Sequence, residues 1–183
     1  TKMKRLRILV DMDDVLADVR TRILEEFNVL NNENVSPEFF EGKDYYAYVN
    51  DPKFKSYRHI LFEDGFFANL GVKDNAQEVM QKLHEKHDVF IVSAAMEFPN
   101  SLIEKYYWLE KYFPFISWKN IILCGDKSPI VGDYLIDDHI RNLVNFKGKP
   151  LLFDALHNKL DTKYTRMLDW KHVESYFTEN GYL

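Results

Sequence analysis

Ile8-Leu9-Val10-Asp11-Met12-Asp13-Asp14-Val15-Leu16-Ala17-Asp18 is the stretch whose reading decides the fold. A short apolar run ends in three carboxylates within four positions, Asp11 to Asp14. Leu6, Ile8, Leu9 and Val10 read as one buried parallel strand, being short, aliphatic and flanked by charge. Clustered acids do nothing for packing, and like charges repel unless a cation or a shared proton compensates. At the carboxyl end of a strand in an open α/β sheet they lie where ligands bind. A solvated Asp-rich turn contains the same residue types, so the remainder of the chain decides.

The 183 residues suit one domain with an inserted subdomain. An apolar content of 46% supplies a core, and 14 Phe with 11 Tyr leave aromatics over to line a pocket. A net charge of −5 argues against a nucleic-acid polymer as partner, because a phosphate backbone needs a basic stripe. A small phosphorylated ligand needs only local positive charge. Cys124 is the single cysteine, which excludes an intrachain disulfide and a multi-thiolate zinc site. Beside Gly125 at the end of an apolar run, it reads as a structural thiol rather than a nucleophile. No apolar run approaches the ~20 residues of a membrane span. The basic start, Thr1 to Arg5, leads into a short strand ending in acids, which is not the pattern of a signal peptide. The expectation is a cytoplasmic protein with no membrane partner, a homodimer being the candidate assembly.

After the acidic loop, Val19, Ile23, Leu24, Phe27 and Leu30 recur at helical spacing, and Asn31-Asn32-Glu33-Asn34 stops that helix. From there to Gly71 the pattern is irregular and aromatic, with Phe39, Phe40, Tyr45, Tyr46, Tyr48, Phe54, Tyr57, Phe62, Phe66 and Phe67. A helix is expected over Lys53 to Phe62, after the start signal Asp51-Pro52. An alternating rhythm follows. Asp74 is the expected cap of a helix reaching Lys86. Val89 to Val92 is a strand ending at Ser93. Pro99 opens a helix containing Leu102, Ile103, Tyr106, Tyr107, Leu109 and Tyr112. Ile121 to Leu123 and Tyr134 to Ile136 are strands, the latter ending at Asp137-Asp138. A short helix at Ile140 to Val144, a strand at Leu151 to Phe153 and a last helix from Asp169 to Phe177 complete the chain. Strands separated by helices predict a Rossmann-like parallel sheet with helices on both faces. Residues 1–17 and 72–183 form the expected core, and 18–71 a helical cap inserted after the first strand.

Four strands thus end in polar groups: Asp11 and Asp13, Ser93, Lys127 just beyond the third, and Asp137-Asp138. In a parallel sheet these ends share one edge. Singly, Lys127 reads as a solvated lysine, Ser93 as a turn residue and Asp137-Asp138 as helix caps. Together they point to phosphoryl transfer. Converging carboxylates without His or Cys favour a hard cation such as Mg2+. An ionised Asp can attack phosphorus, a second Asp can move the protons, and Ser and Lys can hold the equatorial oxygens.

In order and in type, Asp11-Met12-Asp13, Ser93, Lys127 and Asp137-Asp138 resemble the motifs of the haloacid dehalogenase superfamily of phosphohydrolases. The longer matches Val10 to Asp18, Gly125-Asp126-Lys127 and Tyr134 to Asp138 are similar to the 5'(3')-deoxyribonucleotidase family, over residues 6 to 153. The resemblance implies a magnesium-dependent phosphomonoesterase acting on deoxyribonucleoside monophosphates through an aspartyl-phosphate. It implies Asp11 as nucleophile and metal ligand, and Asp13 as general acid/base giving its backbone carbonyl to the metal. Asp138 is implied as the other ligand, with Asp137 in support and Ser93 and Lys127 on the phosphate. Phe66 and Phe67 match an aromatic cluster that faces the base in the family; they serve equally as core of the inserted segment.

This chain departs from the family pattern at Asp14, Val19, Ala94 and Ala95, and His139. Val19, Ala94 and His139 occupy positions that touch base and sugar in relatives, so the phosphate chemistry is better founded than the nucleotide preference. A phosphatase of another small phosphoester, such as a sugar phosphate, remains open. A receiver-like signalling module also combines acids, Ser and Lys on a parallel sheet, but its acidic pair comes first and its acceptor Asp ends the third strand. Here the D-x-D comes first.

Overall fold

The computed structural model describes residues 3–43 and 52–183. Tyr45, Tyr46, Tyr48 and Asp51 lie outside the described residues. Among the described residues, six strands form one parallel sheet: β1 (Arg7–Val10), β4 (Asp88–Ser93), β5 (Ile121–Leu123), β6 (Tyr134–Asp137), β7 (Lys149–Phe153) and β8 (Thr165–Met167), in the order β5-β4-β1-β6-β7-β8. A two-residue ribbon, β2 (Ala17–Asp18) against β3 (Gly71–Val72), is separate and antiparallel. The helices are α1 (Val19–Asn31), α2 (Ala76–Lys86), α3 (Ser101–Tyr112), α4 (Ile140–Leu143) and α5 (Trp170–Glu179).

β1 is central, pairing with β4 on one side and β6 on the other. Side chains alternate across it. Ile8 and Val10 enter the larger core with Val79, Met80 and Leu83 of α2 and Trp170, Val173 and Phe177 of α5. Leu9 enters a smaller core with Val92, Leu135, Leu152 and, from α4, Leu143. Both faces are covered, which is why the strands read as unbroken apolar runs. The expected α/β class is the observed one. β8 went unread in the sequence because Arg166 interrupts it and only Met167 of its three residues is buried.

Two local expectations are corrected. The helix expected over Lys53 to Phe62 is only a 3-10 turn, Arg58–Phe62. Asn31 holds the Lys55 backbone on both sides, accepting its N–H at 2.6 Å and donating to its carbonyl at 3.3 Å, so Lys55 cannot enter a helix. Asn75, not Asp74, occupies the cap position of α2, at a left-handed φ of 61°. The Lys73 N–H is drawn to the Leu16 carbonyl at 2.8 Å, which delays the turn. On α3, Ile103, Tyr106 and Tyr107 lie on the outside, and Ser101, Lys105, Trp108 and Leu109 form the buried stripe. Asp18 caps α1, accepting the Thr21 N–H, and Asn32 ends that helix in the left-handed region.

Segment 18–71 leaves and returns side by side, since Ala17 pairs with Val72 and Asp18 with Gly71. It is fastened to α3 by side chains. Glu104 accepts the N–H groups of Gly65 and Phe67 at 2.8 and 3.1 Å, and the Asn100 amide donates to the Leu61 carbonyl at 3.0 Å. Among the described residues, no helix is long and apolar enough to cross a membrane.

Candidate active site

The first acids are presented by a tight loop at the end of β1. The Asp11 N–H still pairs with the Ile136 carbonyl, and the N–H groups of Leu16 and Ala17 both return to the Met12 carbonyl. The Trp170 indole holds the same loop from behind, donating to the Val15 carbonyl at 2.7 Å. Asp14 sits in it at φ 60°, a left-handed conformation that Asp tolerates better than most residues. Its Oδ1 accepts the N–H groups of Val19 and Arg20, capping α1 from inside. Asp14 is thereby occupied in shaping the loop.

The sheet edge brings the other predicted residues to this loop. Lys127 Nζ lies 2.8 Å from Asp11 Oδ1 and 2.8 Å from Asp137 Oδ2. Asp137 is saturated: Oδ2 also accepts from Asn142 at 3.0 Å, and Oδ1 accepts the His139 N–H at 2.9 Å. Asp138 is wholly buried, with Oδ2 taken by His157 Nε2 at 2.9 Å and Oδ1 without a partner among the described residues. Asp13 is half-buried, with Oδ2 on Lys105 Nζ at 2.9 Å and Oδ1 likewise without a partner among the described residues. Ser93 is buried, and its hydroxyl meets the same Lys105 ammonium at 3.0 Å. Cys124 is half-buried, its Sγ 3.6 Å from the Ser93 carbonyl, and burial pushes its thiol up.

The electrostatics follow from charge count and burial. Fully ionised, Asp11, Asp13, Asp137 and Asp138 would carry four negative charges; Lys105 and Lys127 return two. Burial and then the Asp137 charge push the Asp11 carboxyl well above the ordinary range, against the pull of Lys127. The same two causes push Asp138 up to about 7. Burial would raise Asp137 too, but Lys127 and His139 together hold Asp137 low. Burial would lower Lys127, yet Asp11 and Asp137 together hold its ammonium above the ordinary lysine range. Burial and the Asp138 charge push Asp14 up to about 7, opposed by Lys73 and Arg20. His139 is held below the ordinary histidine value by burial and by neighbouring His157. The excess of two negative charges, the orphaned Asp138 Oδ1, and Asp11, Asp137 and Asp138 oxygens within 4.8 Å of one another fit a hard divalent cation.

A pocket opens beside these groups. Val19, Ile23, Leu61, Phe67, Ala94 and Phe98 form its apolar wall, and Asp11, Asp13, Lys127, Glu97, His139, Arg141 and Asn142 its polar one. Of the family-departure positions, Val19, Ala94 and His139 all line it. Phe67 lines it as well, and Phe66 packs edge-on behind Phe67 at 4.8 Å, off the pocket wall. Lys105, Glu97, Arg141, Asn142 and His157 were not read from the sequence. Lys105 had a signal: it falls at i+4 from Ser101 and i−3 from Trp108, so it is a lysine on a buried helical stripe.

Residues 4–179 match the family model described as 5' nucleotidase, deoxy (pyrimidine), cytosolic type C protein. A Staphylococcus epidermidis protein provisionally named 5'(3')-deoxyribonucleotidase is 40% identical over 175 residues, covering 96% of this chain and 97% of that protein. The 5'(3')-deoxyribonucleotidase of Bacillus subtilis is 37% identical over 172 residues, covering 94% and 98%. Among solved structures, a conserved haloacid dehalogenase-like protein of Agrobacterium tumefaciens superposes with a TM-score of 0.65 at 13% identity, covering 97% of this chain and 100% of that one. A provisionally named haloacid dehalogenase-type hydrolase of Bacillus subtilis, solved with magnesium, gives 0.54 at 12%, covering 96% and 100%. The chain belongs to the 5'(3')-deoxyribonucleotidase family of haloacid dehalogenase-type phosphomonoester hydrolases.

Proposed function

We propose that this chain hydrolyses deoxyribonucleoside monophosphates to nucleoside and phosphate, with Asp11 as nucleophile and Asp13 as general acid and base. The observation that carries this reading is that Asp11, Asp13 and Lys127 line one pocket together with apolar and aromatic side chains, with buried Asp138 grouped beside Asp11. An Asp11 carboxylate oxygen attacks phosphorus and forms an aspartyl-phosphate, while Asp13 gives a proton to the departing nucleoside oxygen. Asp13 then takes a proton from water, whose oxygen attacks phosphorus and returns Asp11 as a free carboxylate.

We assign Lys127 and Ser93 to the phosphoryl oxygens, where charge spreads in the transition state. Lys105 holds Asp13 Oδ2, which leaves Oδ1 for the proton transfer. Asp11, Asp138 and the Asp13 backbone carbonyl are the ligands we assign to Mg2+, which when bound neutralises the carboxylates and the phosphate. Asp137, saturated by Lys127, Asn142 and the His139 N–H, is assigned to orientation instead.

The apolar wall supports a nucleoside leaving group over a bare sugar. A base stacked on Phe67 gains ~1–3 kcal/mol. The test is phosphate release from a panel of dUMP, dTMP, dGMP, ribose 5-phosphate and glucose 6-phosphate, with magnesium and with chelator. The deoxynucleotides should dominate and chelator should abolish release. Equal rates across the panel contradict the nucleotide assignment.

A further inference from the structure

We propose that Asp138, His139 and His157 form a binding site for a borderline-soft divalent cation of the Zn2+ class, on the Oδ2 side of Asp138. The three residues offer a carboxylate oxygen and two ring nitrogens that all lie within 4.8 Å of one another. His157 Nε2 is 2.9 Å and His139 Nε2 is 3.8 Å from the same Asp138 Oδ2. Zinc bonds of ~2.0–2.1 Å in a tetrahedron space their donors by about 3.3 Å, which these two distances bracket. The imidazoles stack at 4.5 Å with an interplanar angle of 20°, so the two rings lie side by side with nearly parallel planes. Two imidazoles and one carboxylate form a donor set suited to zinc and poorly suited to magnesium.

The site is held from outside, as a metal site requires. The Asn158 amide donates to the Asp138 carbonyl at 2.9 Å and the Phe153 carbonyl at 2.8 Å. Arg166 staples the loop carrying His157, donating to Asp154 Oδ1, Asn158 Oδ1 and the carbonyls of Asn158 and Asp161. The His139 backbone is anchored through its N–H on Asp137. On the reading of Asp138 proposed above, zinc held here withdraws that carboxylate from the magnesium site and slows turnover. The binding itself is independent of that reading.

The test is calorimetric titration of the metal-stripped full chain with Zn2+ and, separately, with Mg2+. One Zn2+ should bind per chain. His139→Asn and His157→Gln should each weaken it at least tenfold, and His139→Asn should move Mg2+ affinity less than threefold. Asp11→Asn should weaken Mg2+ and leave Zn2+ within threefold. Zn2+ affinity unmoved by the histidine variants overturns the proposal. So does Zn2+ lost with Mg2+ in Asp11→Asn, which would place zinc among the oxygens instead. Should His157→Gln fail a thermal-melt check of folding, His139→Asn alone decides between these outcomes.

Discussion

Lys105, from the second turn of α3, places its ammonium 2.9 Å from Asp13 Oδ2, although 92 positions separate the two residues. The same ammonium reaches Ser93 Oγ at 3.0 Å and lies 4.7 Å from the centroid of the Phe67 ring. One buried cation therefore links the proposed acid/base, the proposed phosphate-binding hydroxyl and the aromatic wall of the pocket. Glu104 beside it holds the backbone of Gly65 and Phe67. Helix α3 thus ties segment 18–71 to the chemistry directly.

Lys105→Met keeps the volume and removes the charge. On the proposed mechanism kcat falls roughly 10²-fold, the size expected when a general acid/base loses its alignment. Steady-state kinetics with circular dichroism as a folding control check this. Unchanged kcat in a folded variant removes Lys105 from the site.

Asp11→Asn removes the nucleophile, and Asp13→Asn removes the group that moves both protons. Each should reduce turnover by roughly 10³-fold or more while the fold survives. Near-normal turnover in either folded variant refutes its assigned role.

Asp14 is required by geometry rather than by chemistry. Asp14→Ala loses the inner cap of α1 and keeps the strained φ of 60°, so unfolding free energy should drop by about 1–2 kcal/mol. Asp14→Asn, which tolerates the left-handed region and can still accept the Val19 and Arg20 N–H groups, should lose less. Urea titration distinguishes them, and an equal loss in both variants contradicts the capping role.

Acid carboxyls raised on folding bind protons more tightly in the native state than in the unfolded one. Asp138 and Asp14, both pushed up to about 7, therefore contribute stability that is full below their unfolded value of 3.8. That contribution is lost as pH rises through about 7, and buried Asp11, also raised, acts in the same direction. With chelator, Tm should fall as pH rises from 5 to 8 relative to the same protein with saturating magnesium, which relieves the carboxylate repulsion. Parallel Tm profiles with and without magnesium contradict the metal assignment.

The sheet was legible because its strands are buried on both faces, so Ile8 to Val10, Val89 to Val92 and Leu151 to Phe153 appear as plain apolar runs. The residues at the strand ends were legible for the same reason: a polar group at the end of such a run falls on a known edge. What escaped depends on long-range contacts. Lys105 is reached only once α3 is rotated by packing, and the outward Ile103, Tyr106 and Tyr107 misdirect the reading of its faces. His157 belongs to a loop fixed by Arg166 and Asn158, and that network leaves no periodic trace. The helix expected at Lys53 was cancelled by one side chain, Asn31, from 24 positions away.

The central claim is that Asp11 carries the phosphoryl group. The most direct measurement is to quench the enzyme during turnover of dUMP with magnesium, reduce with borohydride and map the peptides by mass spectrometry. The Asp11 side chain, trapped as its acyl phosphate, should be recovered as the reduced alcohol. Reduction at Asp13 or Asp138 instead, or phosphate release with no reduced carboxylate, would contradict the claim.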